Sequence, residues 1–158
     1  MRAKHTKTWS AIAVAVIVTL GVTACAGGGP TTRTPEQAQA EAVGLLRKTQ
    51  AAADLPWPET PAPSAEPCSA GVRFNYFVPV EVKTDANSVA QTLRRLWRSE
   101  GLTVSSSQED FGESGGVLYS ATADADAEGG AGAGYQVSAT SVAVQITSPC
   151  VEGSPDDE

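Results

Sequence analysis

The eleven residues from Val72 to Val82, VRFNYFVPVEV, constrain this chain more than any other stretch. Val72, Phe74, Tyr76, Val78, Val80 and Val82 occupy every second position. A strict period of two sends alternate side chains to opposite faces, so the spacing predicts a strand with one buried and one polar face. A chain built around such a strand must cover one side of a sheet with apolar surface and leave the other wet. Pro79 falls on the polar phase and, lacking an N–H, predicts an edge position or a bulge.

Two helical patterns supply the cover. Thr34 has the character of an N-cap, Pro35 suits the first helical position, and Gln37 completes a capping-box pattern. Ala38, Ala42, Leu45, Leu46, Thr49 and Ala53 then recur at helical spacing, predicting a helix over 34–53 with one mildly apolar face. The prolines of DLPWPETPAPSAEP end it and predict an extended strap over 54–67. Trp57 is placed to pin that strap to the domain; a Pro-rich recognition motif is the other reading, without a nearby basic residue to orient it. Thr84 or Asp85 caps a second helix running to about Glu100. Val89, Leu93, Leu96 and Trp97 form its apolar stripe, with Gln91, Arg94, Arg95 and Arg98 turned away. Gly101 supplies a left-handed stop.

Three further strand signals follow, at Leu102–Ser106, Val117–Ala123 and Tyr135–Thr147. In the last, the apolar phase switches from Tyr135, Val137 and Ala139 to Val142, Val144 and Ile146. A bulge near Thr140 or a tight turn explains the switch, and the bulge is the preferred expectation. The fold class expected is α+β: one small domain, an antiparallel sheet of about four strands packed on two helices.

The first thirty residues have a different character. Arg2, Lys4, His5 and Lys7 precede an apolar run from Trp9 to about Val22. That run is too short for the ~20 residues of a spanning helix, and its basic start and small-residue exit have the layout of a secretory signal. The exit, Val22-Thr23-Ala24-Cys25, resembles the lipobox of bacterial lipoproteins, and with the Pro-rich strap to Cys68 and the closing ITSPC the layout of most of the chain is similar to small lipoproteins common in actinobacteria. The resemblance implies cleavage after residue 24 and a diacylglyceryl group on Cys25. Secretion with cleavage near Ala24 and an unmodified Cys25 is the alternative. Two acyl chains give durable anchoring where one does not, so the mature chain would sit on the outer face of a cell membrane. Residues 25–33, with Gly27-Gly28-Gly29-Pro30, would be a flexible tether to a domain over 34–150, followed by an acidic tail over 151–158.

With Cys25 lipidated, Cys68 and Cys150 remain as an even pair in an oxidising compartment and are expected to form a disulfide; buried thiols are the alternative. The strands beside them, Val72–Val82 and Tyr135–Thr147, would then be neighbours. Three of the 11 basic residues precede Cys25, so a mature chain of 134 residues carries eight against 18 acidic ones, a formal charge of −10. Such a balance argues against nucleic acid as a partner and against a polybasic grip on lipid headgroups.

Candidate chemistry is sparse. His5 is the only histidine and lies within the signal segment, which removes imidazole-based catalysis and His-based metal sites from a mature chain. Neither Lys48 nor Lys83 sits in a Ser-Lys motif. Carboxylates cluster at Glu109, Asp110 and Glu113 and at Asp124, Asp126 and Glu128, but in Gly-rich stretches that read as solvated loops rather than as a pair with one acid in apolar surroundings. Asp124, Asp126 and Glu128 match positions 1, 3 and 5 of a calcium loop, whose position 12 is here Tyr135 instead of Glu; a hairpin loop is the plainer reading. Arg94, Arg95 and Arg98 form the one basic cluster. They either complement the helix dipole or dock an anionic glycan, lipid headgroup or acidic protein surface. The function expected is a lipid-anchored, non-enzymatic binding or accessory domain of the envelope, without cofactor, whose partner is an envelope protein or glycan. A hydrolase using loop carboxylates and a purely structural role are the alternatives.

Overall fold

The computed structural model describes residues 33–69, 71–125 and 129–155. The segment expected to be a signal, the lipobox-like exit with Cys25, all but residue 33 of the expected tether, and Asp126 and Glu128 lie outside them. Nine elements follow in order: α1 (Pro35–Ala53), β1 (Ser64–Cys68), β2 (Gly71–Glu81), α2 (Ala86–Ser99), β3 (Leu102–Asp110), the single turn α3 (Gly112–Gly115), β4 (Val117–Ala125), β5 (Gly132–Val137) and β6 (Ser141–Thr147). The strands form one antiparallel sheet in the order β1-β2-β6-β5-β4-β3, with α1 packed on β2 and β6 and α2 on β3, β4 and β5. The class is α+β, as expected, but with six strands rather than about four.

The two extra strands have separate causes. β1 takes in the end of the stretch expected to be an extended strap, and Cys68 after it; its sequence, SAEPC, lacks β-formers, and its order comes from pairing Ser64–Cys68 with Gly71–Asn75 of β2. The Tyr135–Thr147 segment is two strands, so the expected bulge is in fact the tight turn. The Ser138 N–H donates to the Ser141 carbonyl at 2.8 Å, closing a two-residue loop of Ala139 and Thr140. Neither loop residue has positive φ, and no glycine marks the turn. Ser138 Oγ does the work instead, accepting from the Ser141 N–H at 3.1 Å and from the Thr140 N–H at 3.3 Å. The third helix is the short turn at the β3–β4 tip.

Alternation in β2 buries Val72, Phe74, Tyr76, Val78 and Val80 beneath the helices. Opposite them on β6 lie Ile146, Val144 and Val142, and β5 adds Tyr135 and Val137. The helices complete the same core with Ala38, Ala42, Leu45 and Leu46 from α1, and Val89, Ala90, Leu93 and Trp97 from α2. Pro79 is on neither an edge strand nor a bulge. Ser148 N donates to Phe74 O, so even-numbered residues of β2 bond to β6 and the ring nitrogen of Pro79 points the other way, past the end of β1 where no ladder is interrupted.

The helix ends follow their sequence signals. Thr34 and Gln37 close a reciprocal capping box on α1, and Asp85 caps α2 by accepting from Ser88 N at 3.1 Å. Gly101 has φ +84°, the left-handed stop expected after α2. Trp57 pins the strap through a 3.0 Å bond from Nε1 to the Gln50 carbonyl. Cys68 and Cys150 are disulfide-bonded across 82 positions, a closure contributing on the order of 4 kcal/mol in the chain-entropy account. Beyond Cys150 the chain does not simply fray: Val151 is buried and exchanges both backbone hydrogen bonds with Val72 at 2.9 Å. Gly71, at φ +140°, lets this segment approach, for a Cβ there would lie 2.3 Å from the Val151 carbonyl oxygen.

One buried polar contact joins the two helices. Trp97 Nε1 donates to Thr49 Oγ1 at 3.0 Å, and Thr49 Oγ1 donates to the Leu45 carbonyl at 2.9 Å, both side chains being fully buried. Thr49→Val keeps the shape and strands the indole N–H, so it should lower unfolding free energy by about 1–3 kcal/mol. Urea unfolding checks this: the midpoint falls with an unchanged m-value.

Candidate functional site

Because both long helices lie on one side, no described element covers the other side of the sheet. The residues there are set by strand parity: Asn75, Phe77 and Pro79 on β2, Ala143 and Gln145 on β6, Gly134 and Gln136 on β5, Ser120 and Thr122 on β4, Ser105 and Ser107 on β3. Short side chains in the middle and longer ones at the margin make a trough of about 480 Å³. Its floor is low at Gly134 and Ala143, its walls carry the hydroxyls of Ser105, Ser107, Ser120 and Thr122, and Gln136, Gln145 and Phe77 stand beside it. Phe77 is 56% exposed, an aromatic ring presented to solvent on β2 just past the end of β1. Lining residues of this trough include none with a formal charge.

A second hollow continues from it, sharing Thr122, Gly134 and Gln145, and reaches the disulfide, Arg73 and Asp124. Arg73 is paired with Glu66, whose other oxygen accepts from Asn75 Nδ2 at 3.1 Å. The trough is thus uncharged, and charge enters only in the second hollow, at Arg73 of β2 and Asp124 of β4, toward the Cys68–Cys150 end. Gly134 carries no positive φ, and a Cβ there would meet only the Ala121 carbonyl oxygen, at an ordinary 3.5 Å. Its backbone therefore accepts a side chain, and the side chain's absence is what keeps the floor open.

The carboxylates singled out in the sequence do not come together. Glu109, Asp110 and Glu113 are exposed at the far tip of the β3–β4 hairpin, where Asp110 Oδ1 accepts from the Gly112 N–H at 2.8 Å. Asp124, also exposed, pairs in register with Thr103 at the other end of the same hairpin, roughly 24 Å away at strand rise. Glu36 is the carboxylate held below its ordinary range, by hydrogen bonds from Thr34 and from its own backbone at the α1 N-terminus. Among the described residues, no three metal-ligating side chains converge. Lys48 is engaged with Glu100.

Arg94, Arg95 and Arg98 lie on α2 away from its buried stripe, and only Arg98 is in the last turn, so dipole compensation accounts for one of the three. Arg94 Nη1 donates to Ser106 Oγ on β3 at 3.2 Å, and Arg95 Nη2 reaches Thr92 Oγ1 at 3.4 Å. Among the described residues none of the three pairs with a carboxylate. Sequence reasoning found this cluster but missed the groove, whose residues are spread over five strands and carry no motif. Its one sequence signal was Phe77, an aromatic on the polar phase of the alternation.

Beneath α2, the Tyr135 ring packs on Trp97 with centroids 5.4 Å apart, and its buried hydroxyl has no hydrogen-bond partner. Burial raises the phenol above its ordinary 10.0, and the nearby Arg94 and Arg98 charges partly oppose this. The folded protein therefore holds this proton more tightly than the unfolded chain. Its contribution is complete below pH 10 and is lost as pH rises through the folded-state value. Tyr135→Phe should stabilise by about 1 kcal/mol at pH 7 by removing the stranded hydroxyl, and should lose less stability above pH 10 than the parent. Urea unfolding from pH 8 to 11 measures both.

No family model, curated protein or solved structure matches the chain. Among the described residues, no helix is long and apolar enough to cross a membrane.

Proposed function

We propose that this chain is a lipid-anchored, extracytoplasmic binding domain, without catalytic activity of its own, that holds a neutral saccharide on the helix-free face of its sheet. The observation that carries this reading is the uncharged, hydroxyl- and amide-lined trough beside the exposed ring of Phe77. Hydroxyls and carboxamides both donate and accept, which suits a ligand that is itself rich in hydroxyls and amides. A flat aromatic ring offers apolar surface to the C–H face of a sugar, while an ionic ligand would find no counter-charge in the trough. A mature charge of −10 adds long-range discrimination against polyanions. The exposed and separated carboxylates give no support to the hydrolase reading.

Two experiments test the two parts of the proposal. For the anchor, mass spectrometry of the full chain purified from membranes should find a diacylglyceryl thioether on Cys25 and no residue before it; Cys25→Ala should release the protein from the membrane fraction. An unmodified thiol there would refute anchoring while leaving the binding face untouched.

For the ligand, soluble oligomers of N-acetylglucosamine serve as the first probe, read by calorimetry. Phe77→Ser and Gly134→Leu should each weaken binding at least tenfold, about 1.4 kcal/mol, with thermal midpoints close to the parent's because both positions face solvent. Equal binding by parent and both variants, or no binding of neutral oligosaccharides, would remove the trough from consideration.

A further inference from the structure

The two edges of the sheet differ in a way that has a functional reading. At one edge, β1 is five residues long; even-numbered residues of β2 bond to β6 and odd-numbered ones to β1, so β1 turns Ser64, Glu66 and Cys68 inward. Its outward-facing residues are therefore Ala65 and Pro67, and Pro67 has no N–H, so that edge offers little to a further strand.

At the other edge, β3 pairs with β4 through nine consecutive residues, without a bulge. The Phe111 N–H donates to the Gly116 carbonyl at 2.8 Å, which fixes the alternation: odd-numbered residues of β3 bond to β4. The backbone N–H and C=O groups of Val104, Ser106 and Gln108 therefore point outward, and among the described residues no strand lies beyond them. No proline and no lysine interrupts this edge. It is a template for main-chain pairing.

Charge specifies what fits the template. Arg94 reaches Ser106 at the middle of β3, and Arg98 lies one turn further along α2, toward the Gly101 link and the start of the strand. Both cations are without a carboxylate among the described residues, in a protein with 18 acidic side chains. The side chains of Val104 and Ser106 share the helix face with them. A strand added here would carry its same-face side chains beside Arg94 and Arg98. At the far end Glu109 and Asp110 repel acidic groups, so the match is directional.

We infer that β3 binds an extended acidic segment of a partner protein as a seventh strand, with carboxylates opposite Leu102 to Ser106 meeting Arg94 and Arg98. A second copy of this chain is the poorer occupant. Symmetric pairing of two β3 strands about Ser106 would bring Arg94 against its own equivalent and join two strongly acidic molecules. The inference does not depend on the saccharide reading, since the edge and the trough are different surfaces.

The probe is the end-blocked peptide Thr-Thr-Gln-Thr-Glu-Thr-Glu-Thr-Glu, written to run antiparallel to β3 with its glutamates opposite Ser106, Val104 and Leu102. Titrated into the ¹⁵N-labelled full chain in mild detergent, it should shift the amides of Val104, Ser106 and Gln108 and slow their hydrogen exchange. The Lys-for-Glu counterpart should not. Arg94→Glu with Arg98→Glu should weaken binding at least tenfold, about 1.4 kcal/mol. Gln108→Pro removes an outward N–H and no β4 hydrogen bond, so it should weaken binding while the remaining amide spectrum persists. Equal binding of the lysine peptide, shifts confined to the trough, or no shifts at millimolar peptide would each overturn the inference. So would concentration-dependent shifts of the same amides without peptide, which would assign the edge to self-association.

Discussion

The pairing of β2 with β6 is the constraint on which the rest of the molecule depends. In that register Tyr76 faces Ile146, Val78 faces Val144 and Val80 faces Val142, so two adjacent strands present one continuous apolar surface. A slip of a single residue would turn every one of these side chains to the solvent face. The Cys68–Cys150 disulfide and the Val72–Val151 bridge close the end of the same pair, and α1 packs directly on it. Once these two strands are fixed, α2 has only one place for its Leu93 and Trp97 stripe, on the neighbouring strands, and the reverse face of the sheet is left to water.

Much of this was legible because the period-two signal was strong where burial was one-sided. β2, both long helices, the cap at Thr34, a cap at Thr84 or Asp85, and the adjacency of the strands next to the two cysteines could all be read from the residues. What could not be read was order imposed from elsewhere. SAEPC has no strand propensity of its own and becomes β1 because β2 offers it an edge. The Ser138–Ser141 turn lacks glycine or asparagine, so a side-chain hydroxyl doing their work looked like a continuing strand. β3 runs four residues past its expected end since its Ser-Gln-Glu-Asp stretch is ordered by β4 rather than by a buried face. The trough was invisible for a related reason: it is made of serine, threonine, glycine and glutamine, residues whose importance arises only from convergence.

Charge is distributed so that the fold does not lean on it. The ion pairs Arg33–Glu41, Lys48–Glu100 and Arg73–Glu66 all lie at the surface and each contributes at most about 1 kcal/mol. Two of them act as ties between segments. Arg33 and Glu41 both reach the stretch before β5, through Gly129 O and the Ala131 N–H, and Lys48 joins α1 to the end of α2. Burial, the backbone ladders of the sheet, one buried hydrogen bond between the helices and one covalent crosslink hold the domain, leaving surface charge available for recognition.

Pro35 begins α1 beside the segment that follows β6: a Cβ added to Gly153 would lie 3.9 Å from Pro35 Cγ. The segment after β6 therefore lies beside the start of α1, so the described part of the domain is nearly a ring with a small gap. A short linker could close that gap and new termini could be opened at the hairpin tip near Phe111, reversing which end of the sheet is tied to whatever precedes it. Circular permutants of this kind would turn the orientation of the domain into a variable under experimental control, without altering a residue of its core.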